Sequence, residues 1–215
     1  MLGKALGLMK KPKKTVDQST DAGGESRSPL GDISKMLNAS GRIGLQMLQK
    51  MAAVYDKVEF GRFVQQPVLV GASIQPGSLA TQNRHAKEEL NKTVIFEVDA
   101  VEAASSSSES LKHAIYPLVK NEYASGRFHL FPIGRVEGND MIMPDYAISK
   151  QHATIEIRRG DYLIRDGGST NGTFINGKRL DKKPVQIRDK DIVAFARYEF
   201  TFLFPESLYE MLRGS

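Results

Sequence analysis

The spacing of apolar residues changes along the chain, and the change separates a helical part from a β-rich part. Over residues 30–58 apolar side chains recur at steps of three and four, which predicts an amphipathic helix that begins after Ser28 and Pro29. Gly41 and Gly44 interrupt the pattern, each at a cost of ~1 kcal/mol relative to alanine, so a bend is expected there. The apolar face must pack against the C-terminal domain, a second copy of the chain or a partner.

Beyond about residue 111 the apolar pattern is typical of strands. Short β-rich runs follow one another about every eight to twelve residues and are separated by turn residues. The runs are AIYPLV, FHLFPI, MIM, ATIEI, YLIRD, TFING, VQI, DIVAF and EFTFLF. This spacing predicts an antiparallel β-sandwich.

The middle of the chain shows weaker patterns: a short apolar run at Val68–Val70, a strand-like run at Thr93–Val101, and a Ser-rich linker over 103–110. The sequence therefore predicts an all-β C-terminal domain with a mainly helical or disordered N-terminal extension. The expected segments are a disordered basic tail over 1–28, the amphipathic helix within 29–60, an irregular segment with a short strand and the linker over 61–111, the β domain over 112–206, and a C-terminal tail over 207–215.

Charge and cysteine content narrow the classes of function. The net charge of +5 is divided into +4 on residues 1–60, −2 on 61–111 and +3 on 112–215, without a dense basic stripe. This distribution argues against a nucleic-acid partner. The chain has no cysteine, which excludes disulfides, thiolate catalysis and Cys-ligated zinc and fits a reducing compartment, so a cytoplasmic location is expected.

No apolar run approaches the ~18–20 residues that a membrane-spanning helix needs. Residues 1–14 could still contact an anionic membrane surface weakly, with Leu2, Leu6 and Met9 inserted and the lysines on phosphates. The alternative is a solvated tail.

The sequence offers no catalytic constellation, so we expect neither enzymatic activity nor a cofactor or metal. The four histidines are not spaced as ligands; they are His85, His113, His129 and His152. The run GGSTNG lacks the lysine of a nucleotide-binding loop.

Three motifs appear in the order and spacing of the forkhead-associated (FHA) family: GRVEGND at 134–140, SKQHATI at 149–155 and DGGSTNGTFING at 166–177. The C-terminal part of the chain thus resembles an FHA domain, with an overall layout similar to small bacterial FHA regulators. The resemblance implies a β-sandwich of about 11 strands that binds phosphothreonine and lacks catalytic activity.

A phosphothreonine carries almost two negative charges and three acceptor oxygens, so its receptor needs several convergent donors. Arg135 provides a planar fork of donors, Ser149 a hydroxyl and Lys150 a mobile positive charge. The resemblance implies that Thr170 binds on the phosphate side and that Asn171 holds the adjacent peptide backbone. These five residues form the predicted phosphopeptide site.

Other residues of the motifs are expected to support the loops. Gly134, Gly168 and Gly172, like Gly177, are interpreted as turn residues that can adopt positive φ. The resemblance assigns His152 to bracing the loops by hydrogen bonds, whereas a role as catalytic base is the alternative.

Lys190 and Ala196 occupy positions where the family usually has glycine, and the departure is expected to affect turn geometry more than recognition.

The predicted function is a phosphothreonine-dependent adaptor in Ser/Thr-kinase signalling, with a phosphorylated protein and a Ser/Thr kinase as partners. Thr93 in KTVIFEV is a candidate phosphosite, because a phosphorylated Thr93 could fold back onto Arg135 and Ser149 and block outside partners. In the alternative, Thr93 only begins a strand. A rival function is a phosphate-independent scaffold that assembles through the N-terminal helix.

Overall fold

The computed structural model describes residues 33–72, 74, 111–120, 124 and 127–214. The basic tail over 1–28, the strand-like run at Thr93–Val101 and the Ser-rich linker lie outside the described residues.

The described strands form two sheets that face each other as a sandwich. The six-stranded sheet has the order β2-β1-β11-β10-β7-β8 and the five-stranded sheet the order β4-β3-β5-β6-β9. The strands are β1 Val68–Gly71, β2 Ile115–Pro117, β3 Leu130–Gly134, β4 Met141–Ile142, β5 Ala153–Arg158, β6 Asp161–Asp166, β7 Thr173–Ile175, β8 Lys178–Arg179, β9 Val185–Ile187, β10 Ile192–Phe195 and β11 Tyr198–Leu203. Neighbouring strands are antiparallel except for β3 and β4, which are parallel. The predicted fold class is confirmed.

A hydrophobic core fills the space between the two sheets. Phe131, Ile155 and Ile164 enter it from the five-stranded sheet, and Phe200 and Phe202 enter it from β11. Inward-facing side chains alternate with outward-facing ones along these strands, as the two-residue period of a strand requires.

The single helix expected over 30–58 is wrong. The described residues contain a 3-10 helix at Ile33–Met36, helix α1 at Leu45–Val54 and helix α2 at Lys57–Val64. Gly41 has a φ of +80°, and a Cβ at this position would lie 2.2 Å from the carbonyl oxygen of Asp140. The chain therefore turns at Gly41 in a left-handed conformation and passes close to the sandwich instead of continuing as a helix.

The second interruption is a helix cap at Asp56. Its carboxylate accepts hydrogen bonds from the backbone N–H groups of Val58 and Glu59, and the Glu59 carboxylate accepts one from the N–H of Asp56. This capping box begins α2 at Lys57. The Asp-x-x-Glu spacing is itself a sequence signal for the start of a helix. The helical period of the apolar residues continues across it, so the period alone predicts one helix.

Strand β1 belongs to the sandwich, although it precedes the expected domain boundary at residue 112. It lies between β2 and β11 in the six-stranded sheet, so the short apolar run at Val68–Val70 forms a strand. Leu69 packs in the core between the sheets, whereas Val68 and Val70 pack beneath the helices. Because both faces are buried, the strand reads as an unbroken apolar run.

The C-terminal segment is a helix instead of the expected tail from residue 207. Helix α3 spans Pro205–Arg213, with proline in its first turn and Gly214 as a left-handed C-cap. Leu208 and Met211 are buried in a second apolar cluster with residues of α1, α2 and the adjoining strands. The three helices thus form a helical layer on the outer face of the six-stranded sheet.

Candidate functional site

Three loops meet at one end of the five-stranded sheet, where β3 and β6 end and β5 begins. Ile133 at the end of β3 pairs with Ala153 at the start of β5, and Ala153 pairs with Asp166 at the end of β6. The loops that follow β3, precede β5 and follow β6 are therefore neighbours. They carry all five residues of the predicted phosphopeptide site, and we call them the loop cluster: residues 135–140, 143–152 and 167–172.

Ser149 connects the three loops. Its carbonyl oxygen accepts a hydrogen bond from the backbone N–H of Arg135 at 3.1 Å. Its hydroxyl oxygen accepts one from the backbone N–H of Thr170, also at 3.1 Å. The structure thus brings Arg135, Ser149 and Thr170 together through direct bonds.

The Arg135 side chain has a buried donor without a partner among the described residues. Its Nε is buried and has no hydrogen-bond partner in the described part of the chain. Its guanidinium carbon lies 6.0 Å from the centre of the Tyr146 ring, which is 94% exposed. An unsatisfied buried donor costs about 1–3 kcal/mol, so an acceptor from a ligand would relieve this cost.

The remaining two predicted residues flank this centre. The side-chain amide of Asn171 donates to the carbonyl oxygen of Ala147 at 2.8 Å, which ties the third loop to the second. The amide retains another N–H and its oxygen for a peptide backbone. The side chain of Lys150 is exposed beside Ser149.

His152 is fully buried and braces two loops. Its Nδ1 accepts a hydrogen bond from the backbone N–H of Ser149 at 3.1 Å, so Nε2 carries the proton and donates to the carbonyl oxygen of Gly172 at 3.0 Å. Burial lowers the pKa of His152, against the raising effects of the Gly172 carbonyl and the Asp166 charge. Both ring nitrogens are occupied, which favours a structural role over a catalytic one.

Asp166 organises the third loop, and sequence reasoning missed it. Its carboxylate accepts hydrogen bonds from the hydroxyls of Ser169 and Thr173 and from the backbone N–H groups of Gly168 and Ser169, at 2.6 to 2.9 Å. Burial alone would raise the pKa of Asp166, but these hydrogen bonds outweigh it and the pKa is lowered. An Asp followed by Gly, Ser and Thr is a local turn signal that could have identified it.

Asn139, also missed from the sequence, joins the first loop to the second. Its buried side-chain amide donates to the carbonyl oxygens of Val136 at 2.7 Å and Lys150 at 3.0 Å. A Cβ on Gly134 would lie 2.1 Å from that same Lys150 oxygen. Gly134 is therefore required because two backbone segments approach closely at this position. The prediction that it adopts a positive φ is wrong.

The other expected turn residues have the predicted conformation. Gly168, Gly172 and Gly177 have φ values of +83°, +85° and +76°. Lys190 and Ala196, which replace the usual glycines, also have positive φ, at 69° and 55°. Both turns therefore have a left-handed backbone conformation, which glycine adopts more easily than lysine or alanine.

The cluster offers several directed hydrogen-bond donors. Over residues 33–72, 74, 111–120, 124 and 127–214, no three His, Asp or Glu side chains are grouped as a metal site would require. In the same residues no helix is long and apolar enough to cross a membrane. The geometry suits the binding of an anionic group.

Comparison with known proteins identifies the family. Residues 131–196 match the family model of the FHA domain. The chain contains an FHA domain. FHA domains are phosphothreonine-binding protein-interaction modules. The matched residues include every residue of the predicted phosphopeptide site.

The relatives align with different lengths of this chain. The chain is 39% identical over 70 residues to the ABC transporter ATP-binding/permease protein Rv1747 of Mycobacterium tuberculosis, and this alignment covers 33% of this chain and 8% of that protein. It is 24% identical over 140 residues to the oxoglutarate dehydrogenase inhibitor of Corynebacterium glutamicum, which covers 58% of this chain and 96% of that protein. A solved FhaA FHA domain complexed with the intracellular domain of Rv3910 is 27% identical and covers 36% of this chain and 84% of its own, with a TM-score of 0.33. The chain spans only 8–18% of the relatives Rv1747, At4g14490 and EmbR.

Proposed function

We propose that this protein is a phosphothreonine-dependent adaptor that binds a phosphorylated partner through its loop cluster. The observation that carries the proposal is the bonded trio of Arg135, Ser149 and Thr170, with the buried Arg135 Nε still lacking an acceptor. In this assignment Arg135, Ser149 and Lys150 bind the phosphate, Thr170 lies on the phosphate side, and Asn171 holds the adjacent backbone. The role is binding without catalysis.

The expected affinity follows from the bonds that this site can make. Each hydrogen bond to a charged group contributes about 1.5–3 kcal/mol net. Several such bonds, less the cost of ordering the peptide, correspond to a micromolar Kd, or about −8 kcal/mol. The loops are already braced by His152 and Asp166, so the receptor side loses little conformational freedom on binding.

The test is a phosphothreonine peptide library in which the third residue after the phosphothreonine is varied. Binding should require the phosphate and fall by at least ~2 kcal/mol, about thirtyfold in Kd, in Arg135→Ala. Arg188→Ala is the matched control, because Arg188 is exposed at the opposite end of the sandwich, before β10. Equal binding of phosphorylated and unphosphorylated peptides would contradict the proposal.

The rival function is a phosphate-independent scaffold that assembles through the N-terminal helices. Those helices bury their apolar face on the six-stranded sheet of the same chain, which leaves less of it for assembly. Self-association that survives Arg135→Ala, in a protein that binds no phosphopeptide, would favour the scaffold.

A regulatory element of the proposal concerns Thr93, which lies outside the described residues. Thr93 is 18 residues before Leu111, and an extended chain of that length spans up to ~60 Å, enough to reach Arg135. A tethered phosphothreonine has an effective concentration in the millimolar range, well above a micromolar Kd. Phosphorylation of Thr93 by a Ser/Thr kinase would therefore block outside partners.

This self-inhibition is tested by phosphorylating the chain with a candidate kinase, mapping the sites and measuring peptide affinity. Phospho-Thr93 should weaken peptide binding, and Thr93→Ala should abolish the effect. An unmodified Thr93, or an unchanged affinity of its phospho-form, would rule out the switch and leave the adaptor function intact.

A further inference from the structure

A groove lies beside the loop cluster on the outer face of the five-stranded sheet. Its floor is formed where Pro132, Thr154 and Arg165 stand side by side on β3, β5 and β6. The other lining residues are Gln151, Ala153, Asp166, Gly167, Gly168 and Lys182. The groove encloses about 430 Å³, within the range of pockets that hold ligands.

The free charges of this groove are positive. Arg165 and Lys182 both line it, and both residues are exposed. Asp166 also lines the groove, but its carboxylate is engaged by the hydrogen bonds of its own loop. Glu156, on which the charge of Arg165 acts, is already paired with Arg158 through two hydrogen bonds of 2.6 and 2.8 Å.

The groove is continuous with the predicted phosphopeptide site. Gln151 follows Ser149 by two residues, and Gly168 precedes Thr170 by two residues. Two extended residues span at most ~7 Å. A peptide residue two or three positions from a phosphothreonine bound at Ser149 and Thr170 is therefore within reach of the groove.

We infer that this groove binds an acidic side chain that flanks the phosphothreonine in the same peptide, with Arg165 and Lys182 as the residues that select it. The inference rests on the proposed function and specifies its ligand class: phosphothreonine peptides with a carboxylate near the phosphoresidue. Charge complementarity supports this occupant, and continuity with the loop cluster supports its place in the same peptide.

The experiment uses the full chain and synthetic phosphothreonine peptides whose flanks are alanine. One set carries a single Glu two or three residues before or after the phosphothreonine, and a matched set carries Gln. At one position at least, the peptide with Glu should have a Kd about threefold lower than the peptide with Gln, because an exposed charge pair contributes about this much. The gain should shrink as salt is raised.

Two variants show whether the groove is responsible. The double variant Arg165→Gln, Lys182→Gln should remove the Glu gain and leave the alanine-flanked peptide within about twofold of the wild-type Kd. The matched control is Lys183→Gln, because Lys183 is an exposed neighbour of Lys182 outside the groove lining, and it should retain the gain.

The outcomes separate the two proposals. If phosphopeptides bind but Glu brings no gain at any position, or if the gain survives the double variant, the groove inference is wrong and the adaptor function stands. If Lys183→Gln loses the gain to the same extent, the effect is due to diffuse surface charge, and the groove inference is wrong. If the alanine-flanked phosphopeptide binds no better than its unphosphorylated form, the adaptor function fails and the groove inference fails with it.

Discussion

The loop cluster and the helical layer are held in place by different forces. In the loop cluster, Ser149, His152 and Asp166 fix three loops through directional hydrogen bonds to backbone groups. In the helical layer, Phe60 and Leu208 are fully buried in an apolar cluster that covers the six-stranded sheet. The first arrangement needs particular residue types at particular positions, whereas the second needs apolar volume.

Because of this difference, we expect the stability of the fold and the recognition of a ligand to depend on different parts of the molecule. The loop cluster should determine ligand affinity, because small shifts of its backbone move the donors that are proposed to bind the phosphate. The helical layer should determine how much free energy holds the fold together. Four predictions, from the largest expected effect to the smallest, test this division.

The largest effect is expected in the helical layer. Phe60→Ala should lower the free energy of unfolding by about 3–5 kcal/mol, because it leaves a cavity in a fully buried cluster. Denaturant unfolding measures the loss, and the exposed Val58→Ala should change stability by less than about 0.5 kcal/mol. If Phe60→Ala fails to fold, Phe60→Leu is the milder variant. A folded variant that loses phosphopeptide affinity would break the division between the two regions.

A pair of glycines contrasts the two regions directly. Gly134→Ala should cost about 1–3 kcal/mol, because the new Cβ would meet the Lys150 carbonyl oxygen at 2.1 Å. Gly61→Ala in α2 has open space and should stabilise the helix by about 0.5–1 kcal/mol. Thermal unfolding compares the two, and the proposed phosphopeptide binding should be impaired only in Gly134→Ala. Equal effects would show that the backbone contact at Gly134 is unimportant.

The turn at Lys190, which lies outside the loop cluster and next to the start of α3, should gain stability. Lys190 is exposed with a φ of 69°, and relief of a left-handed conformation is worth about 1–2 kcal/mol. The added freedom of glycine in the unfolded chain offsets about 0.4–1 kcal/mol, so Lys190→Gly should gain about 0.5–1 kcal/mol. Lys182→Gly, an exposed loop position without positive φ, should instead lose stability. A loss in both variants would contradict the prediction.

The smallest effect is a pH dependence that arises from His152. Because burial lowers the pKa of His152 in the folded protein, the unfolded chain takes up this proton first as the pH falls below about 6.5. The contribution of His152 to stability is therefore complete above that pH and declines towards the folded pKa. NMR titration of the ring should show His152 protonating at a pH below 6.5. A His152 pKa at or above 6.5 would contradict the prediction.

The sequence made the β-sandwich and the members of the loop cluster predictable. Each β-rich run after residue 111 contains a strand, because alternation of inward and outward side chains is a local property. Arg135, Ser149 and Thr170 could be named because the motif keeps residue type and spacing together. Asn139 was missed because its partners are backbone carbonyls, which no residue type reveals. Asp166 was missed although the Ser and Thr residues that follow it supply two of its donors.

The helical layer was predicted less well. The helical period over 30–58 concealed the turn at Gly41 and the cap at Asp56, since a periodic pattern reports buried positions and not breaks between elements. The strand β1 and the helix α3 were assigned outside the domain, because their partners lie far away in the sequence.

By itself the sequence determined the fold class and the order of the strands along the chain, and it named the residues of the proposed phosphopeptide site. Those properties depend on side-chain periodicity and residue chemistry, which are local. Only the tertiary structure decided that β1 completes the six-stranded sheet, that α1, α2 and α3 pack on that sheet, and that Gly134 is required by the Lys150 carbonyl. These features depend on contacts between segments distant in the chain, where packing and backbone approach are set by the whole fold.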